Sequence, residues 1–170
     1  MNFDKYIREV KDFPKSGISF KDITPLLNNA EATKACLDLL VSTLADKKID
    51  KVIGVESRGF FFGILLAQRL GVGFIPVRKP KKLPFDTISA SYALEYGTDA
   101  LEIHVDAIEK GENILIHDDV LATGGTAQAV CELVERLGGN IVQCNFLMEL
   151  AFLNGRDKIA KYDVFSALRY

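Results

Sequence analysis

The chain has 170 residues, with 21 lysines and arginines against 23 acids (a formal charge of −2), 48% apolar residues and 26% charged residues. That balance marks a globular chain and argues against disorder, and with no basic stripe no nucleic-acid partner is expected. The longest apolar run, Phe60 to Ala67 with Gly63 inside it, falls far short of a membrane span, so no membrane partner is expected either.

The length predicts one domain over 1–170. Met1-Asn2-Phe3-Asp4-Lys5 lacks the basic-then-apolar order of a secretion signal, and a cytoplasmic protein is expected. Cys36, Cys131 and Cys144 show no C-x-x-C spacing and sit in apolar patterns, which predicts reduced core thiols. Two isolated histidines make no zinc site by spacing.

In chain order, the first 25 residues predict a short helix, Asp4 to Lys11, then an irregular stretch holding Pro14, Gly17 and Pro25. Ala32, Ala35, Cys36, Leu39, Leu40 and Leu44 give a helical period over 30–47. Lys51 to Val55 reads as a strand, Arg58 to Leu70 as a helix stopped by Gly71, and Phe74 to Val77 as a strand. Residues 80–105 break the rhythm. Ile88 to Leu94 and Ala100 to Val105 predict two strands of an antiparallel flap, behind a basic, proline-flanked loop from Lys79 to Pro84. Asn113 to His117 is a further strand, Gly124 to Leu137 a helix, and Ile141 to Leu147 and Val164 to Leu168 the last strands. Strands alternating with helices predict an α/β fold: a mostly parallel twisted sheet with helices on both faces.

The most informative segment is Ile114-Leu115-Ile116-His117-Asp118-Asp119-Val120-Leu121-Ala122-Thr123-Gly124-Gly125-Thr126. A buried strand ends in two acids, and a turn of small residues then opens a helix. Consecutive glycines let backbone N–H groups converge, the helix N-terminus adds partial positive charge, and Thr123 and Thr126 offer hydroxyls. This suits a phosphomonoester. Carboxylates repel phosphate, so Asp118 and Asp119 must face something else, such as a vicinal diol or a magnesium ion through water. Phosphate, diol and metal together describe a phosphorylated ribose. No lysine follows the glycines, so this is no Walker A loop, and no G-x-G-x-x-G is present.

The segment resembles the signature of the type I phosphoribosyltransferases, which bind 5-phosphoribosyl-1-diphosphate (PRPP). Asp12-Phe13-Pro14-Lys15, Phe20-Lys21-Asp22-Ile23-Thr24-Pro25-Leu26-Leu27, Glu56-Ser57-Arg58-Gly59-Phe60, Lys82-Leu83-Pro84 and Ser91-Tyr92-Ala93-Leu94-Glu95-Tyr96-Gly97 occur in that family's order and resemble its adenine-specific branch. The resemblance implies transfer of a phosphoribosyl group from PRPP to adenine, giving AMP and pyrophosphate. It also implies Mg²⁺ bound through PRPP and water with no direct protein ligand, a homodimer, and an N-terminal hood segment beside the sheet and flap.

By the same resemblance, Asp118 and Asp119 hold the ribose hydroxyls, the turn Ala122, Thr123, Gly124, Gly125 and Thr126 holds the 5′-phosphate, and Val120 and Leu121 between them are substrate-binding. Glu56, Ser57 and Arg58 meet the pyrophosphate through a loop that often carries a cis peptide. Arg58 is then a charge clamp on the leaving group. Lys79 and Lys82, with Arg78, reach the diphosphate, unless the lysines simply belong to a solvated loop. Glu95, with Tyr96 beside it, is the acid near the base and handles its proton. Ser19, Phe20 and Lys21 line the base, their irregular backbone leaving carbonyls free to read it. Phe20 either covers the purine or is a core residue. Lys21, Ser16 and His117 depart from the pattern, and His117 reads as a structural or interface histidine. The cradle by itself leaves open another base, or a PRPP-sensing regulator.

Overall fold

A 3₁₀ turn over Phe3–Tyr6 opens the chain, with the Asn2 side chain accepting the Asp4 N–H at 3.0 Å. Strand β1 (Arg8–Lys11) then pairs antiparallel with β2 (Ser19–Asp22) in the register Lys11↔Ser19, Val10↔Phe20, Glu9↔Lys21 and Arg8↔Asp22. The helix expected over Asp4 to Lys11 is thus one short turn, and the stretch expected to be irregular is half of a hairpin. Cross-strand partners decide this: Arg8 bonds Asp22 at 3.0 Å, Ser19 donates to Glu9 at 2.6 Å, and the rings of Phe13 and Phe20 meet edge-on at 5.2 Å. A helix that short has too few hydrogen bonds to compete. Between the strands lie a cis Phe13–Pro14 bond and Asp12 at φ 57, whose carboxylate accepts the Gly17 N–H at 2.7 Å.

Helices α1 (Thr24–Leu27) and α2 (Ala30–Ser42) follow. Pro25 sits in the first turn of α1, where its missing N–H costs no helical bond. Helix α2 stops short of 47, and Thr43 bonds back to the Leu40 carbonyl at 2.8 Å.

The computed structural model describes residues 1–93 and 98–170. It divides into two units, Met1–Leu39 and Leu40–Tyr170. The second unit contains β3 (Lys51–Val55), α3 (Gly59–Leu70), β4 (Gly73–Val77), β5 (Thr87–Ala93), β6 (Thr98–His104), β7 (Asn113–Leu121), α4 (Gly125–Arg136), β8 (Asn140–Glu149) and β9 (Val164–Arg169). Five strands form a parallel sheet in the order β4-β3-β7-β8-β9. The chain leaves β3 toward one edge and leaves β7 toward the other. Right-handed crossovers in opposite directions put α3 and α4 on opposite faces. Ile53, Val55, Ile114, Ile116, Cys144 and Phe146 join Val130 and Val134 of α4 in the main core. On the other face the Phe62 ring of α3 lies 6.2 Å from that of His117.

The flap pairs β5 with β6 antiparallel, from Thr87↔His104 to Ala93↔Thr98. Reciprocal backbone bonds of 3.0 and 2.7 Å between Arg78 and Glu102 anchor it. Strand β7 runs past His117 and takes the acid pair into the sheet, because β8 also extends to Glu149 and pairs Asp118 with Phe146 and Leu121 with Glu149. Two 3₁₀ turns, Ala151–Leu153 and Gly155–Ile159, link β8 to β9. The three cysteines are free and buried. Among the described residues no helix is long and apolar enough to cross a membrane.

Candidate functional site

In open parallel sheets, ligands collect beyond the carboxyl ends of the strands, where the strand order reverses. Here that point lies between β3 and β7. Glu56, Ser57 and Arg58 follow β3 directly, while Ala122, Thr123 and Gly124 follow β7.

The turn after β7 is shaped by Gly124, whose φ of 79 suits glycine. No side chain caps α4, and its first backbone bond runs from the Gln128 N–H to the Gly124 carbonyl at 2.9 Å. The N–H groups of the first turn therefore point out of the helix end, the arrangement that attracts an anion.

The acid pair sits just before this turn. Asp119 is 5% exposed. Its Oδ2 meets Arg58 Nε at 2.6 Å as an ion pair without the alignment of a hydrogen bond. Asp118 Oδ1 accepts the Asp119 N–H at 2.8 Å. Burial, and then the neighbouring Asp119 charge, push the Asp118 carboxyl well above the ordinary range, although part of the residue's surface stays open. Burial also pushes Asp119 up, against the pull of the Arg58 guanidinium. Asp119 is buried and Asp118 half-buried, and both carboxyls are raised although Arg58 lies beside them, so a cation or hydroxyl donors at this place would favour their charged forms. Gly59 allows this crowding: a Cβ there would come within 2.8 Å of Asp118 Oδ1.

The Glu56–Ser57 peptide is cis. The Glu56 carboxylate turns toward the next strand end, accepting from Arg78 Nη2 at 3.2 Å and from the Lys79 N–H at 2.8 Å. Burial pushes it up, but these donors prevail and hold it below the ordinary range. Arg78 also donates to the Lys82 carbonyl at 3.1 Å. Lys79 Nζ pairs with Asp99 Oδ2 of the flap at 2.8 Å, an oxygen that also accepts from the Tyr92 hydroxyl at 3.3 Å. Lys82 is exposed.

Of the residues singled out in the sequence, Ser57 and Arg58 therefore lie around the end of β7 with Asp118, Asp119 and the 120–126 run. Arg78 and Lys79 join them through Glu56, which here organises a loop by accepting bonds. Ser19, Phe20 and Lys21 belong to the N-terminal unit, where Phe20 is half-buried against Phe13. Glu95 and Tyr96 lie outside the described residues. His117 is buried, with its Nδ1 2.6 Å from Asn145 Oδ1, and burial pushes it down to about 4, so it is a neutral structural residue.

Sequence reasoning missed Asp99, which holds Lys79, and Gly155, whose backbone lies against the turn after β7. Only the turn-forming Asn154-Gly155 dipeptide could have flagged the latter. Among the described residues no group of three or more His, Cys, Asp or Glu side chains could hold a metal.

Comparison with known proteins agrees with this fold. Residues 22–168 match the family model described as phosphoribosyl transferase domain. The chain is 73% identical over 170 residues to the adenine phosphoribosyltransferase of Flavobacterium johnsoniae, covering 100% of both chains. It superposes on the adenine phosphoribosyltransferase of Thermoanaerobacter pseudethanolicus with a TM-score of 0.97 at 52% identity, covering 99% of this chain and 98% of that one. The enzyme of Saccharomyces cerevisiae, solved with an imino-altritol bisphosphate and adenine, gives 0.91 at 44% identity, covering 96% and 95%. The chain belongs to the phosphoribosyltransferase family and, within it, to the adenine phosphoribosyltransferases.

Proposed function

We propose that the acid pair, the turn after β7 and the loop after β3 carry the reaction of that family. The chain transfers the 5-phosphoribosyl group of PRPP to adenine, giving AMP and pyrophosphate, the salvage route to a purine nucleotide. The observation that carries this reading is the under-neutralised pair Asp118–Asp119 beside an uncapped helix N-terminus at the strand-order reversal.

In this reading the N–H groups opening α4, with Thr123 and Thr126, bind the 5′-phosphate. Asp118 and Asp119 accept from the ribose hydroxyls. Displacement at C1 passes through a transition state with oxocarbenium character, so no side chain forms a covalent bond. Arg58 stabilises charge on the departing diphosphate, sharing its guanidinium between that group and Asp119. Lys79 and Lys82 approach the same group from the basic loop, and Arg78 fixes that loop by bonding the Lys82 carbonyl.

Magnesium fits this donor set, since hard carboxylate oxygens lie beside the place assigned to the diphosphate. Bound mainly through PRPP and water, it would supply charge to neutralise the leaving diphosphate. The flap excludes water. Glu95, with Tyr96, is assigned the purine proton and the base edge on the resemblance alone.

Adenine itself is assigned to Ser19, Phe20 and Lys21. The yeast relative solved with adenine supports the base. The ribbon geometry of β2 supports the way it is read, because an outer strand turns every second carbonyl away from its partner. Such carbonyls accept from the amino group of adenine and repel the carbonyl of hypoxanthine. The family model spans the boundary between the two units, which supports one phosphoribosyltransferase domain over 1–170. Phe61 and Ile64, 46% and 51% exposed and one turn apart on α3, support a homodimer. The cytoplasm is the assigned compartment.

The test mixes protein, PRPP and Mg²⁺ with adenine, hypoxanthine or guanine and follows pyrophosphate. Release with adenine, at a kcat/KM about 10⁴-fold above that for hypoxanthine, is expected. Equal rates would refute the base assignment, and no release with any base would refute the reaction.

A further inference from the structure

The segment after β8 touches the turn that follows β7, and nothing in the reaction so far uses it. The contact is backbone against backbone. A Cβ built on Gly155 would fall 2.1 Å from the Ala122 carbonyl oxygen and 2.8 Å from the Gly124 nitrogen, and one built on Gly124 would fall 2.2 Å from the Gly155 carbonyl oxygen. Two glycines facing each other let the chains close to a distance that side chains forbid. Ala122 and Gly124 are thus set in place by residue 155 as well as by their own helix.

Residue 155 is in turn held by an ion pair between a buried carboxylate and a half-buried guanidinium. The Glu149 carboxylate, 2% exposed at the end of β8, accepts from Arg156 Nε at 3.2 Å and Nη2 at 2.5 Å, and from the Ser166 hydroxyl at 3.1 Å. Arg169 approaches it at 3.6 Å. Arg156 Nη1 donates to the Val164 carbonyl at 2.8 Å. One planar guanidinium therefore ties the ends of β8 and β9 to the residue beside Gly155, with a fork geometry that lysine does not reproduce. Glu149 is also the register partner of Leu121, the last residue before the turn. The Leu150 N–H bonds the Leu121 carbonyl at 2.9 Å. The phosphate turn is thus gripped at its start by β8 and braced at Ala122 and Gly124 by Gly155.

We propose that Glu149, Arg156 and Gly155 are positioning residues for the 5′-phosphate: the Glu149–Arg156 pair holds Gly155 against Ala122 and Gly124, and that contact sets the direction of the turn's N–H groups. The proposal rests on reading the turn as the phosphate site. It assigns these residues to the phosphate end of the substrate and gives them no part in binding adenine.

The test compares the wild-type protein with Arg156→Lys, Glu149→Gln and Gly155→Ala, reading AMP affinity by calorimetry, KM for PRPP and for adenine, and thermal stability. Arg156 is partly exposed, so Arg156→Lys keeps the charge and the fold while losing the fork. Arg156→Lys and Glu149→Gln should weaken AMP and raise the PRPP KM about tenfold, while the adenine KM stays within about twofold. Gly155→Ala, if it folds, should do more. A purely structural role would lower the melting temperature and leave the AMP affinity of the folded protein unchanged, and that result in Arg156→Lys overturns the proposal. Equal losses for PRPP and adenine overturn it too. Adenosine is the control: a wild-type protein that binds adenosine as tightly as AMP contradicts the phosphate reading itself, whereas a wild-type preference for AMP that survives in Arg156→Lys contradicts only the brace.

Discussion

The turn after β7 and the basic loop, assigned to the two ends of one substrate in the proposed function, are held by different means. Around the turn the contacts are backbone on backbone, with Gly124 against Gly155 and a Glu149–Arg156 pair whose carboxylate is buried. Around the loop side-chain ion pairs carry much of the hold: Lys79, 55% exposed, on Asp99, and the half-buried Arg78 on Glu56. Exposed pairs contribute about 0–1 kcal/mol and are screened by salt. Misfit in a packed backbone contact has no such outlet. A monoester that stays bound throughout the reaction suits a fixed cradle. A diphosphate that must leave suits lysines with an exchangeable partner.

The largest break in this comparison should come from Gly124→Ala. Its new Cβ meets the Gly155 carbonyl, and its φ of 79 disfavours a side chain by about 1–3 kcal/mol. AMP affinity by calorimetry should fall about a hundredfold, or two steps of about 1.4 kcal/mol. A variant within threefold of wild type would show that the glycine pair is not a constraint.

Asp118→Asn should separate stability from function. The folded protein raises the carboxyl of Asp118, so the folded state prefers the protonated form. That raises its free energy relative to the unfolded chain as the pH climbs above the ordinary carboxylate range. The asparagine variant escapes this. Its melting temperature should match wild type near pH 4 and exceed it by a few degrees at pH 7, about 1 kcal/mol for a domain of this size. PRPP turnover should fall. A lower melting temperature at pH 7 would mean that Arg58 already compensates the pair.

The same two regions differ in how they showed in the sequence. The turn was legible because a strand, two acids, small residues and a helix stand consecutively from Ile114 to Thr126. The sheet, both long helices beside it and the flap were legible from periodicity for the same reason: their signals are local. The N-terminal hairpin was not, since Arg8–Asp22, Glu9–Ser19 and Phe13–Phe20 connect residues that only pairing brings together. Asp99 and Gly155 were invisible on the same ground, being remote in sequence from Lys79 and Gly124. The length of β7 escaped because Asp118 and Asp119 look like the end of a strand unless β8 is known to continue beside them.

The smallest effect should come from Asp99→Ala. It releases Lys79 from its flap partner and should cost no more than about 1 kcal/mol of stability. With Lys79 no longer shared, the PRPP KM should stay level or fall about twofold at low salt. A several-fold rise would make Asp99 a guide for Lys79 instead of its competitor.

The central claim is that the cradle for the monoester stands without the basic loop, while the diphosphate depends on that loop. Lys79→Ala tests it directly, with AMP and PRPP titrated into wild type and variant by calorimetry under identical salt and Mg²⁺. The account predicts AMP affinity within twofold of wild type and PRPP affinity lower by about tenfold. Equal losses for the two ligands would contradict it.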